Sequence, residues 1–443
     1  MPYYVLKASN RPEAAIGEIT IEAARNCTLL DYEPMKKVPG FRVKDEIIAY
    51  ASPDSTYSVT KRMMDAARKS IRIGIYDFTS GYMKELLLNA MSRGVEVTLM
   101  LDVEPGAEKI MFDQLIEMGV NGVPAPACTS GKAKYFSSCH EKFIVIDDKW
   151  TLVQSGNYSN NSIPLNEVDG GDPDNFVKGN RDTGLAIKST ALAKFFTKVL
   201  QSDIALEQNA PESAQFARMK APDVVWIEAA PKKIPTKLFP SKTIALETPL
   251  EIQPVLSPDN YMSVIPDFLR GARKSILIEQ QYIRASQAQI TILLDAMAEA
   301  AAANPDLDVR IILGKIFGGA KEVAKEKKNL DLIKKKYGWA LGKNIRLIDT
   351  TRFVHCHNKL IVVDGKSVLV SSQNWSDSAV IKNREAGILL KHPAIAKYFA
   401  AIFESDWSTG IKTLPKPAAA KVTPEALTKG GFVRVEPADY REV

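Results

Sequence analysis

"SSCHEKFIVIDD" (residues 137–148) sets a histidine between a cysteine and a Glu-Lys pair, just before an apolar run. "FVHCHNKLIVVDG" (residues 353–365) does nearly the same far downstream. The chain has only four histidines, so two in matching surroundings speak of function rather than composition. Alternate side chains of a strand share a face, which puts His140 with Lys142 and His357 with Lys359. The apolar residues that follow carry each strand into a core. Asp147-Asp148 and Asp364-Gly365 suit hairpin turns. The return strands, "KWTLVQSGN" and "KSVLVSSQN", then bring Asn157 and Asn374 back beside the lysines.

The likeness extends upstream. "SPDSTYSVTKRMMDAARKSIRIGIYDF" starts at Ser52 and "SPDNYMSVIPDFLRGARKSILIEQQYI" at Ser257. Each reads as turn, amphipathic helix, then buried strand, with Asp54 and Asp259 placed as helix starts prefer. A second helix and strand follow in both. Strands alternating with helices predict an α/β class with parallel pairing. A repeat of this size predicts a fused, pseudo-symmetric pair whose working groups lie where the halves face each other. The expected divisions are an N-terminal extension (1–46), a first half (47–210), a proline- and lysine-rich surface linker (211–254), a second half (255–412) and a flexible C-terminal tail (413–443).

Composition bounds the setting. The 443 residues are 45% apolar and 25% charged, with net charge +6 and a pI near 8.8, the balance of a globular protein rather than a nucleic-acid packaging protein. Cys27, Cys128, Cys139 and Cys356 form no CxxC pair, which predicts reduced thiols in a cytoplasmic protein. No signal peptide is recognisable at the N-terminus, and no apolar run is long enough to span a bilayer. The expected location is cytoplasmic or peripheral on a membrane.

Two histidines, two lysines and two asparagines suit a phosphodiester. Charge grows on its non-bridging oxygens as a nucleophile adds, and Lys142, Lys359, Asn157 and Asn374 are fitting fixed donors. One imidazole attacks phosphorus while the other protonates the departing oxygen, and the roles then reverse. The lysines supply the positive charge, so no metal or other cofactor is expected. A carboxylate usually orients such a histidine through its other nitrogen. "NRDTGLAI" (180–187) and "NREAGILL" (383–390) offer Asp182 and Glu385. Which histidine each serves stays open.

H-x-K-x4-D, followed beyond the turn by G/S-S-x-N, twice in one chain, resembles the phospholipase D superfamily over residues from about 48 to 410. The resemblance implies paired α/β/α sandwich halves with mixed, mainly parallel sheets and the active site at their interface. It implies a metal-independent phosphodiesterase or phosphatidyltransferase with a phosphohistidine intermediate, His140 as nucleophile and His357 as general acid. The expected substrate is a phospholipid at a membrane surface, with nucleic acid as the alternative, and the expected state is a monomer holding a pseudo-dimeric site. A non-enzymatic binding module is the third reading. Gln154 and Ser371 depart from the glycine common in the family.

Other residues carry blander expectations. Asp147 and Asp364 are read as structural supports of the hairpins. His355, Ser155 and Ser372 are read as pocket lining; the HCH pattern is too sparse for a zinc site. Cys139 and Cys356 should face the core as small filler. The first half carries a glycine-rich acidic insertion between Asn157 and Asp182, containing Glu167, Asp169, Asp172 and Asp174, which is read as a lid over the mouth. Residues 321–346 begin with a lysine-rich run read as a solvated helix face.

Overall fold

The computed structural model describes residues 27–166, 169–170, 176–210, 225–228, 238–316, 320–415 and 432–435. A short strand, β1 (Phe41–Val43), precedes the first series of elements: β2 (Glu46–Ser52), α1 (Thr56–Ala66), β3 (Ser70–Ile75), α2 (Gly81–Ser92), β4 (Glu96–Leu101), α3 (Ala107–Glu117) and β5 (Asn121–Pro124). The histidine hairpin follows as β6 (Lys142–Ile146) and β7 (Trp150–Gln154), then β8 (Asp182–Lys188) and α4 (Thr190–Asn209). Between the halves run β9 (Val225–Glu228) and β10 (Lys242–Ala245).

The second series repeats the first: β11 (Leu250–Ser257), α5 (Tyr261–Arg270), β12 (Ser275–Gln280), α6 (Ala288–Ala303), β13 (Asp308–Leu313), α7 (Ala320–Tyr337) and β14 (Ile345–Leu347). Its hairpin is β15 (Lys359–Val363) and β16 (Ser367–Ser371). Then come α8 (Asp377–Ile381), β17 (Glu385–Lys391), α9 (Pro393–Thr409) and β18 (Phe432–Val435).

Strand alternation builds the layers. In β6, Phe143 and Val145 face one core while Ile144 and Ile146 face another. The first core lies between the two sheets and is shared by both halves, with α4 and α9 contributing Phe196, Leu200, Phe399 and Phe403. The outer core of the first half is filled from α1, α2 and α3, and that of the second from α5, α6, α7 and α8. The protein is thus a mixed α/β fold of two related halves, packed through a common middle layer.

The sheets run in the orders β10-β2-β8-β7-β6-β3-β4-β5 and β1-β11-β17-β16-β15-β12-β13-β14. Expected as mainly parallel, they are mostly antiparallel: the parallel pairings are β3 with β4, β4 with β5, β12 with β13 and β13 with β14. The cause is local. From the histidine hairpin onward, consecutive strands pair directly as they return, with only the short α8 between β16 and β17, and only the early βαβ part has parallel crossovers. The expected surface linker contributes to both large sheets, since β10 edges the first and β11 opens at Leu250 in the second. From the N-terminal extension, β1 edges the second half's sheet. The tail's β18 pairs with β9. "GEITIE" and the rest of the tail beyond residue 415 lie outside the described residues.

The motif aspartates act at the far end of the hairpins. Asp147 and Asp364 adopt positive φ (54° and 57°), as a tight turn requires. Asp147 accepts from the backbone N–H groups of Arg68, Lys69 and Ser70, and Asp364 from Arg273, Lys274 and Ser275. Despite some desolvation, these bonds hold both carboxyls below the usual carboxylate range. Five residues of strand put them roughly 17 Å from the histidine end. Asp147→Ala should therefore lower unfolding free energy by about 1–3 kcal/mol and leave kcat close to wild type, as urea melts and turnover would register. Because the folded-state pKa is depressed, that stability is present at neutral pH and lost as pH falls through the acid range.

Two expectations fail here. Asp54 and Asp259 do not cap α1 and α5, whose flanking residues are Ser55 and Asn260; both side chains turn to buried arginines instead. Cys27 and Cys128, read as reduced thiols, are joined in a disulfide across 101 residues of sequence. No local spacing could signal a bond of that reach, and such bonds persist in oxidising surroundings rather than the reducing cytoplasm. Cys139 and Cys356 are free and buried. Beyond Cys27 the chain straps both halves: Leu30 N–H donates to Lys134 O, while Tyr32 and Met35 donate to Asp259.

Among the described residues no helix is long and apolar enough to cross a membrane. Helix α7 buries Val323, Leu330 and Ile333 and exposes its lysines. Of the acidic insertion, Asp169 accepts from Ser241 N–H and hydroxyl, and Asn166 binds Pro53 O and Val177 N–H. These contacts pin its ends to the body of the protein. Glu167, Asp172 and Asp174 lie outside the described residues.

Candidate active site

His140 and His357 enter one site from opposite halves, each at the head of its hairpin, with ring centres 6.4 Å apart. The orienting carboxylates cross over. His140 Nδ1 meets Glu385 of the second half at 2.8 Å, and His357 Nδ1 meets Asp182 of the first at 3.0 Å. An ionised carboxylate only accepts, so each Nδ1 carries the hydrogen and each Nε2 lone pair lies across the ring from it. Lys142 and Lys359 are fully buried, and each Nζ donates to the carbonyl of the histidine two residues before it, at 2.5 Å. Asn157 and Asn374 are buried at the ends of the return strands. Burial, assisted by Lys359 and opposed by Asp182, pushes His357 down to about 4 and favours its neutral form.

The three residues read as pocket lining lie behind the site instead. Ser155 donates to Asp182 (2.8 Å) and Ser372 to Glu385 (2.6 Å), both fully buried. Each serine therefore steadies an orienter. His355 is packed against Gly314, accepts Lys315 N–H at Nδ1, and is driven well below its usual pKa by burial and by His357. It supports the loop that carries His357. Among the described residues no cluster has the makings of a metal site. At the departures from glycine, Gln154 accepts from Tyr50 and donates to Gly156 O, and Ser371 donates to Lys359 O.

Sequence reasoning missed the arginines inside NRD and NRE. Arg181 binds Asp54 of its own half and Asp406 of α9. Arg384 binds Asp259 of its own half and Asp203 of α4. Each therefore ties one half to the other immediately before an orienter, and the carboxylates outweigh burial to keep both guanidiniums charged. Their signal was the Asn-Arg shared by both segments and the Asp shared by both SPD turns. Tyr76 was missed too: its ring lies 4.8 Å from that of His140, Lys142 Nζ sits 5.1 Å from its centre, and its hydroxyl donates to Glu104.

A family model described as "Cardiolipin synthase, PLD-like domain" matches residues 60–204 and 265–407, one match to each half. Among solved structures, phosphatidylserine synthase from Haemophilus influenzae aligns over 88% of this chain and 93% of its own, at 15% identity and TM-score 0.57. Nuc from Salmonella typhimurium, a phospholipase D family member, aligns over 38% of this chain and 98% of its own, at 19% identity and TM-score 0.30. No curated protein matches the sequence. With both halves matched and two imidazoles brought together at their junction, the chain belongs to the phospholipase D-like family.

Proposed function

We propose that the protein is a metal-independent phosphodiesterase that hydrolyses or transfers phospholipid headgroups through a phosphohistidine. The observation that carries this reading is the pair of carboxylate-oriented imidazoles 6.4 Å apart, flanked by two buried lysines. Rings 6.4 Å apart leave room for one phosphorus between them, and attack requires it within about 3–3.5 Å of the nucleophilic nitrogen. His140 Nε2 adds to phosphorus as the bond to the leaving oxygen breaks. His357 gives that oxygen a proton, then takes one from the water or alcohol that releases His140. The incoming phosphodiester's negative charge offsets the field of Lys359, so His357 gains its proton as substrate binds. The lysines and asparagines stabilise the growing charge on the non-bridging oxygens.

The lipid substrate class rests on the description of the matching family model and on the absence of aromatic residues interleaved with the lysine run for stacking bases. The exposed lysines of α7 favour the second reading, a metal-independent nuclease. Labelled phosphatidylcholine, phosphatidylglycerol, and single- and double-stranded DNA, each with excess chelator, separate the two. Phospholipid turnover undiminished by chelator is expected. Cleavage of DNA alone would favour the nuclease, and a strict Mg²⁺ or Zn²⁺ requirement would contradict lysine-based charge stabilisation.

A further inference from the structure

Behind His357 the buried hydrogen bonds run past the serine and the orienter to Asn358 and Glu279, an extension with no counterpart behind His140 among the described residues. Asp182 Oδ1, which meets His357, also accepts the Ser155 hydroxyl. Asn358, between His357 and Lys359, accepts at Oδ1 from Thr183 Oγ1 (2.7 Å) and Lys359 N–H (3.1 Å). Those donors occupy its two lone pairs, so Ser155, 3.1 Å away with a single proton, directs it to Asp182. On the other side Asn358 Nδ2 donates to Glu279 Oε2 at 2.8 Å. All seven residues are buried.

In the first half Gly74 stands where Glu279 stands in the second, and Glu141 where Asn358 stands. Glu141 occupies the room that glycine leaves: a Cβ at 74 would come within 3.2 Å of its Oε1. Neither Glu141 oxygen has a hydrogen-bond partner among the described residues, and the Glu385 oxygens are held by Ser372 and Asn383 without it. The buried carboxyl has moved one strand across, and only the second half joins it to a histidine.

We propose that Glu279 is a positioning residue for His357: its carboxyl holds the Asn358 amide, which commits the Ser155 proton to Asp182 and fixes the imidazole for proton transfer. This rests on the reading of His357 as a catalytic histidine. The groups facing Glu279 are Asp406 of α9, Arg181 ahead of β8 and the Cys356 thiol. Burial and the Asp406 carboxylate push Glu279 up to about 8, against the pull of Arg181. Burial therefore favours its protonated form at neutral pH, while Arg181 grips Asp406.

The full-length protein's four histidines make imidazole NMR a direct readout. His357 should show an inflection near pH 8 that Glu279→Gln removes and Glu141→Gln leaves in place. Gln mimics the neutral acid and keeps an acceptor for the Asn358 amide. Turnover of Glu279→Gln should stay within about threefold of wild type at pH 7, whereas Asn358→Leu should lower kcat roughly 10-fold with little change in KM. Above pH 8 wild type should decline and Glu279→Gln should not. An inflection that survives Glu279→Gln, or a His357 signal lacking one in wild type, overturns the proposal. An intact inflection in protein that turns over no phosphodiester would overturn the functional reading and leave this linkage standing.

Discussion

Alanine at either His140 or His357 is expected to lower kcat by on the order of 10³ or more, and alanine at both should cost little beyond either alone. The two rings serve one displacement, so removing the second after the first has nothing left to impair. The leaving group separates their roles. With an activated diester such as a p-nitrophenyl ester, departure needs no proton, so His357→Ala should still transfer phosphorus to His140 and then stall for want of a base. Denaturing mass spectrometry should find that phosphate on His140. Phosphate on His357 in the His140→Ala protein would reverse the roles, and near-wild-type turnover in either variant would remove the mechanism.

Arg384→Ala is expected to destabilise the fold by about 3–5 kcal/mol, because it strands the buried carboxylates of Asp203 and Asp259 without a counter-charge. Arg181→Ala should behave alike through Asp54 and Asp406. Lysine should not rescue either, since one ammonium does not reproduce the fork that reaches two carboxylates at once. The sign of the pH dependence follows. Stranded carboxylates become tolerable once protonated, so the deficit relative to wild type should shrink as urea melts move from neutral toward acidic pH. Activity measured well below the melting temperature should fall too, because Asp182 and Glu385 are the next residues along. A stability change under about 1 kcal/mol would mean that these arginines are not the ties described.

What the sequence made legible was local or duplicated. The strand period placed each histidine with its lysine, and the shared Asn-Arg-acid pattern of NRD and NRE singled out Asp182 and Glu385. Their crossing was hidden because spacing along a chain carries no information about which half folds over which. Sheet direction was misread because alternating helices and strands early in each half overshadowed the direct antiparallel returns that follow. The SPD aspartates look like helix caps in any short window, and only the assembled middle layer brings Arg181 and Arg384 to them. The Cys27–Cys128 bond joins residues too distant for any pattern to connect. The asymmetry at Gly74 and Glu279 was on the page from the start, but its meaning needed the neighbouring strand.

The crossed carboxylates mean that neither lobe owns a complete imidazole–acid pair. Two copies of one lobe docked head to head would complete both pairs with identical residues, and both imidazoles would then behave identically. Carrying the lobes in tandem lifts that constraint: aspartate serves one ring, glutamate the other, and the strand beneath can differ on each side. Division of labour between the two rings is thus a property of the polypeptide's continuity as much as of its local chemistry.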